Sequence, residues 1–165
     1  MAKRSLVAAA VMVLCAGTAF SQVGTHTTQA DIRVERLLKE AGLTFTIDNE
    51  GDFQLYTKVS GNRVQALWII SETQAMGALE IRQIWSIGYT SDQPFSAEIL
   101  NRLLAENAQV KLGAWQVRRM GGKYVAVFSV QVGADIDRFS LLMAMSTVAS
   151  TADDMERALT GADVY

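Results

Sequence analysis

The sequence predicts an α+β domain, a mostly antiparallel sheet with flanking helices in the order α-β-β-β-β-α-β-β-α. Two observations carry most of this. Apolar and polar residues alternate with period two over residues 43–89 and again over 111–132, while segments with a 3.6-residue apolar period open, interrupt and close the chain. The third is punctuation: Gly, Asn, Asp and Ser clusters mark turns, and a single proline, Pro94, with no long linker argues for one continuous domain over residues 31–163.

Asp31 to Ala41 reads as a helix, with Val34, Leu37, Leu38 and Ala41 on one stripe and Gly42 where a terminating glycine belongs. Leu43, Phe45 and Ile47 then alternate with Thr44, Thr46 and Asp48. Asn49-Glu50-Gly51 turns the chain into a second strand, with Phe53, Leu55, Thr57 and Val59 on one face. After Ser60-Gly61-Asn62, Arg63 to Ser71 is apolar on both faces from Leu67 to Ile70, which predicts a strand inside the sheet. In Leu79 to Tyr89, the residues Leu79, Ile81, Trp85, Ile87 and Tyr89 are expected to share a face.

Ser91-Asp92-Gln93-Pro94 reads as a helix start with the proline in the first turn, where its missing N–H costs nothing. Phe95, Ile99, Leu100, Leu103 and Leu104 supply that helix's stripe to about Asn107. Lys111 to Met120 and Lys123 to Val132 form a hairpin around Gly121-Gly122, its second arm apolar on both faces. Asp135 to Leu159 is a long closing helix, capped at or near Asp135 and followed by Gly161, and its middle, Phe139 to Met145, is apolar almost all round.

Ahead of the domain, residues 1–21 have the layout of an export signal. Lys3 and Arg4 precede an apolar run, Leu6 to Ala16, and small residues at Ala19 and Ser21 predict cleavage before Gln22. The run is too short for a spanning helix, which needs about 20 apolar residues. Leu14 before Cys15 is wrong for a lipid-attachment box, which takes a small residue there. The expected product works outside the cytoplasm, in the periplasm or secreted, without a membrane span. Residues 22–30, QVGTHTTQA, form a polar lead-in.

Cleavage removes the only cysteine and leaves the only histidine, His26, in the lead-in. Thiol chemistry, a His-dependent triad and a Cys/His zinc site then lack their residues, so the expectation is a non-enzyme with no cofactor and no metal. Without Lys3 and Arg4, 13 basic residues face 17 acidic ones, a net of −4, and no dense basic face offers itself to nucleic acid. Arg118, Arg119 and Lys123 read as a solvated hairpin end. Asp48, Glu50 and Asp52 miss the calcium-loop pattern, because Gly51 is fourth rather than sixth from Asp48 and no Glu stands at the twelfth position; a solvated turn is expected.

The opening helix and its exit, LLKEAGLTFTIDNEGDFQLY, the strand RVQALWIIS, the helix running into a strand, FSAEILNRLLAENAQVKLGAWQV, and the turn GGKYVAVFSV before DIDRFSLLMAM carry a likeness. In that order they resemble the YbjN-like domain, a family related in fold to the chaperones of type III secretion systems. The likeness runs from about Ile32 to Asp163 and implies a type III secretion chaperone-like fold. It brings no catalytic motif; the structural relatives bind unfolded polypeptide segments as dimers. Those chaperones are cytoplasmic, whereas this chain opens with an export signal.

Trp68, Trp85 and Trp115 fall on three predicted strands, where aromatics are ordinarily core. The binding surface is expected at Trp85, Tyr89 and Trp115 on the sheet and at Leu142, Met143 and Met145 on the last helix. Trp85 with Tyr89 is the expected exposed pair, because their strand also carries Glu80 and Arg82. Together these readings predict an exported domain that binds a protein or peptide as a homodimer, in a holdase-like or regulatory role. The alternative is a module holding a small apolar ligand or lipid between sheet and helices.

Overall fold

The computed structural model describes residues 29–165; the segment expected to be an export signal, residues 1–21, and His26 lie outside the described residues. Helix α1 (Ile32–Glu40) is followed by β1 (Thr46–Ile47), β2 (Phe53–Lys58), β3 (Val64–Met76) and β4 (Leu79–Ser91). Then come α2 (Ala97–Asn107), β5 (Ala114–Met120), β6 (Lys123–Gly133) and α3 (Arg138–Thr160), the order the sequence predicts. The six strands form one antiparallel sheet in the order β1-β2-β3-β4-β6-β5. No helix among the described residues is long and apolar enough to cross a membrane.

Each helix begins on a side-chain oxygen that accepts one of the N–H groups left unpaired in a first turn. Asp31 accepts from Arg33 N at 2.8 Å, Ser96 from Ile99 N at 3.4 Å and Asp137 from Ser140 N at 2.9 Å. The second helix therefore starts later than the proline suggests: Pro94 precedes the Ser96 cap, and Phe95 between them turns into the core. The third is capped by Asp137 rather than Asp135. It ends on Gly161, whose φ of 68° is the left-handed conformation glycine adopts without steric cost.

The helices pack on one side of the sheet. Leu37 and Leu38 of α1, Leu103 of α2, and Leu141, Met145, Val148 and Met155 of α3 meet Phe53, Leu55, Leu67, Ile69, Ile84, Phe128 and Val130 from the strands in one core. Each large apolar side chain so buried contributes about 1.5–3 kcal/mol. The sheet-facing stripe of α3 is thinned by Ala144, Ala149 and Ala152, all essentially inaccessible. That lets the helix lie close over β3, β4 and β6.

Two bulges shape the sheet. In β3 the pairing jumps from Ile69↔Ile84 to Thr73↔Arg82, which leaves two extra residues in β3. Their backbone groups are met by side chains. Arg82 Nη1 donates to the carbonyls of Ile70 (2.6 Å) and Ser71 (3.2 Å), and Ser71 N donates to Asp52 Oδ1 at 2.7 Å. Asp52 is thus a buried acceptor and not a solvated turn residue; Asp48 organises the turn, accepting from Glu50 N and Asp52 N. Stitched this way, β3 runs five residues past its expected end to a tight hairpin at Gly77-Ala78.

In β4 the register shifts between Ile87 and Tyr89, with Gly88 the extra residue. A Cβ on Gly88 would overlap the Trp115 ring and come within 3.3 Å of the Ala152 carbonyl, so glycine is needed for close approach.

Candidate docking face

Strand alternation sends every second side chain to the side of the sheet away from the helices. There β2 presents Gln54, Tyr56 and Lys58; β3 presents Trp68, Ile70 and Glu72; and β4 presents Ile81, Gln83, Trp85 and Ile87. From β6 come Val125, Val127, Ser129 and Gln131, and from β5 come Gln116, Arg118 and Met120. Trp85, Val125 and Val127 form a second apolar cluster with Trp68, Ile70, Ile87 and Met120 packed against it, built from strand residues alone. Among the described residues no helix crosses this face.

At its centre the indoles of Trp68 and Trp85 stack, with ring centroids 4.4 Å apart and planes within 10° of parallel. They meet because Trp68 and Trp85 are direct cross-strand partners. On the far side of Trp85 the Arg118 guanidinium lies 5.8 Å from the ring centroid, held by Gln116 Oε1 at 2.7 and 3.1 Å. Burial lowers the Arg118 pKa from its ordinary value, the cost of keeping a cation against an indole. Beside the stack Tyr56 is 66% exposed, and Gln54 Nε2 reaches its hydroxyl at 3.3 Å.

Only part of the sequence-predicted surface lies here. Trp85 is on this face but buried between Trp68 and Arg118. Tyr89 is not its companion, because the Gly88 bulge turns it to the helix side, where its ring packs 5.4 Å from Phe95. Trp115 is also on the helix side, 5% exposed, packed edge-on to Phe128 and donating Nε1–H to Glu106 at 2.7 Å. On α3, Met145 is core and Leu142 half-buried. Met143 stays 53% exposed, one turn from Phe139 on the outward stripe. The helix is therefore apolar on two opposite sides rather than buried all round. Tyr56 and Arg118 escaped the sequence reading: Tyr56 sits on the polar half of its alternation, and Arg118 reads as hairpin charge until its register opposite Val125 is known.

Two ionic groups on the helix side are structural. Arg82, 1% exposed, pairs with Asp31, while Arg33 bridges Asp31 and Glu80 and Thr73 Oγ1 donates to Glu80 at 2.6 Å. Burial alone would raise the Asp31 pKa, but hydrogen bonds from Arg33 and Arg82 outweigh it and hold the carboxyl well below the usual range. Arg33, then Thr73, lowers Glu80 to about 2. A cavity of about 440 Å³ beside this group is lined by Asp31, Arg33, Ser71, Thr73 and Glu80, whose charges are already paired with one another. At the other end Arg63 sits among Asp153, Glu156 and Asp163, the carboxylate set with metal-like spacing, and neutralises it in part. Glu156 also accepts from Tyr165 N at 3.0 Å, tying the chain's last residues to α3.

Comparison of the chain with family models, with curated proteins and with solved structures gives no match.

Proposed function

We propose that this is an exported, non-enzymatic domain of the YbjN-like type that binds another polypeptide in the cell envelope, in a holdase-like or regulatory role, and that it docks through the uncovered sheet face. One observation carries the reading. The face without a helix holds the Trp68–Trp85 stack, Tyr56 and Arg118, the residue types that dominate binding energy at protein interfaces. Uncharged, half-buried Gln54, Gln83 and Gln116 surround them, amides that can pair with a partner's backbone without the desolvation cost of a buried charge.

The test is site-specific photo-crosslinking in the native host. A crosslinker replacing Gln83 on the open face should trap a polypeptide, and one replacing Arg102 on the exposed side of α2 should not. Equal capture from both positions, or none from Gln83, would sink the proposal. Fractionation of the same cells reads the location.

A further inference from the structure

We infer that a small cavity on the open sheet face, lined by Ile70, Glu72, Gln74, Ile81, Gln83 and Gln131, receives a basic side chain, arginine or lysine, of the docked polypeptide. This rests on the docking reading above and names what the partner brings to that face.

Strand register assembles the cavity. Ile70 and Glu72 come from β3 at its bulge, Gln74 is paired with Ile81 of β4, and Gln83 is paired with Gln131 of β6. It adjoins the aromatic stack. Ile70 packs against the cluster that contains Trp85, and Gln83 stands two residues from Trp85, about 7 Å along β4. The volume of about 170 Å³ falls below the roughly 300–1,000 Å³ of small-molecule sites and suits a single long side chain.

Charge decides which side chain. Glu72 is the only ionisable residue lining the cavity, and it is half-buried. Among the described residues no lysine or arginine pairs with it. Lys58 stands opposite Val64, eight residues back along β3, and Arg118 stands opposite Val125, six residues from Gln131 along β6. A polypeptide laid over the Trp68–Trp85 stack also covers this neighbouring carboxylate. Taking an ionised carboxylate out of water without a counter-charge is strongly unfavourable, and since the chain supplies none, the partner must.

The other lining groups suit the same occupant. Gln83 donates Nε2–H to Ser129 Oγ at 2.7 Å, which leaves its Oε1 as an acceptor beside the Glu72 carboxylate. Ile70 and Ile81 offer apolar surface to the aliphatic stem of a lysine or arginine, whose charged head then lies among oxygens.

The experiment is selection of phage-displayed random dodecapeptides on protein expressed from the full 165-residue sequence, with circular dichroism to check that each variant is folded. Peptides whose binding is lost on Tyr56→Ala or Trp68→Ala are the open-face binders. On wild type these should be enriched in arginine and lysine over the unselected library, and Glu72→Gln should weaken their binding about tenfold or more. Selection repeated on Glu72→Arg should return aspartate or glutamate in place of the basic residue. Glu98→Gln, which makes the same change in net charge on exposed α2 at the helix side, should leave binding unchanged. Open-face binders that carry no basic residue overturn the inference and leave the docking reading standing. So do basic binders indifferent to Glu72→Gln or weakened equally by Glu98→Gln, and so does a Glu72→Arg selection that still returns basic residues. Absence of any binder that depends on Tyr56 or Trp68 refutes both.

Discussion

The side-chain amide of Asn107 stands against Trp115 as a neighbouring strand would. Trp115 N donates to Asn107 Oδ1 at 2.6 Å, and Asn107 Nδ2 donates to the Trp115 carbonyl at 3.3 Å. β5 is the outer strand of the sheet, and an edge strand's unpaired N–H and C=O row is a template for unwanted pairing. The last residue of α2 fills one place in that row.

Asn107→Ala is therefore expected to leave the Trp115 backbone groups without a protein partner, at a cost of about 1–3 kcal/mol in chemical denaturation. The variant should also aggregate faster than wild type in light scattering at equal fraction folded. A variant as stable and as soluble as wild type would show that the amide pairing carries no weight.

The pairing of Arg33 with Asp31 and Glu80 sets an acid limit. Both carboxyls have folded-state pKa values below their ordinary ones, Glu80 at about 2 against 4.5. A depressed carboxyl pKa contributes stability above its unfolded value and loses it as pH falls through the folded one. Urea midpoints should accordingly drop between pH 4.5 and about 2, and Arg33→Gln should flatten that drop. Asp52 and Glu156, raised first of all by burial, act with the opposite sign and favour the fold as they take up protons. A midpoint that rises throughout the window would mean that these two outweigh the Arg33 pairs.

The stacked indoles predict a spectroscopic signature. Two parallel rings 4.4 Å apart couple excitonically, so Trp68→Ala should remove a couplet from the far-ultraviolet dichroism and move Trp85 emission toward that of hydrated indole. Loss of the aromatic pair should cost about 0.5–1.5 kcal/mol beyond the area exposed. An unchanged spectrum would place the two rings apart in solution.

The element order was legible because period-two and period-3.6 patterns follow directly from strand and helix geometry. The interior positions of β3 and β6 could be read from apolar residues on both faces. The docking face was only half legible, and the reason is register. Which side Tyr89 occupies depends on one extra residue at Gly88, and a bulge is fixed by the partner strand and by Trp115 packing above it, neither of which is local in sequence. The same holds for β3, whose extension beyond Ser71 depends on Arg82 and Asp52 reaching its unpaired backbone. Trp68 and Trp85 were visible as residues, but their contact is a property of cross-strand pairing.

The bulge at Gly88 acts as a change of parity. A strand is a counter that alternates between two sides, and one added residue inverts every assignment downstream of it. Here the inversion divides the aromatic side chains of β4, leaving Trp85 to the open face and giving Tyr89 to the packed layer with Phe95 and Tyr124. Without that extra step Tyr89 would add a third ring to the open face and leave a hole beneath α2's entry. The partition between what the domain keeps for its own cohesion and what it offers outward is thus set by a residue that has no side chain.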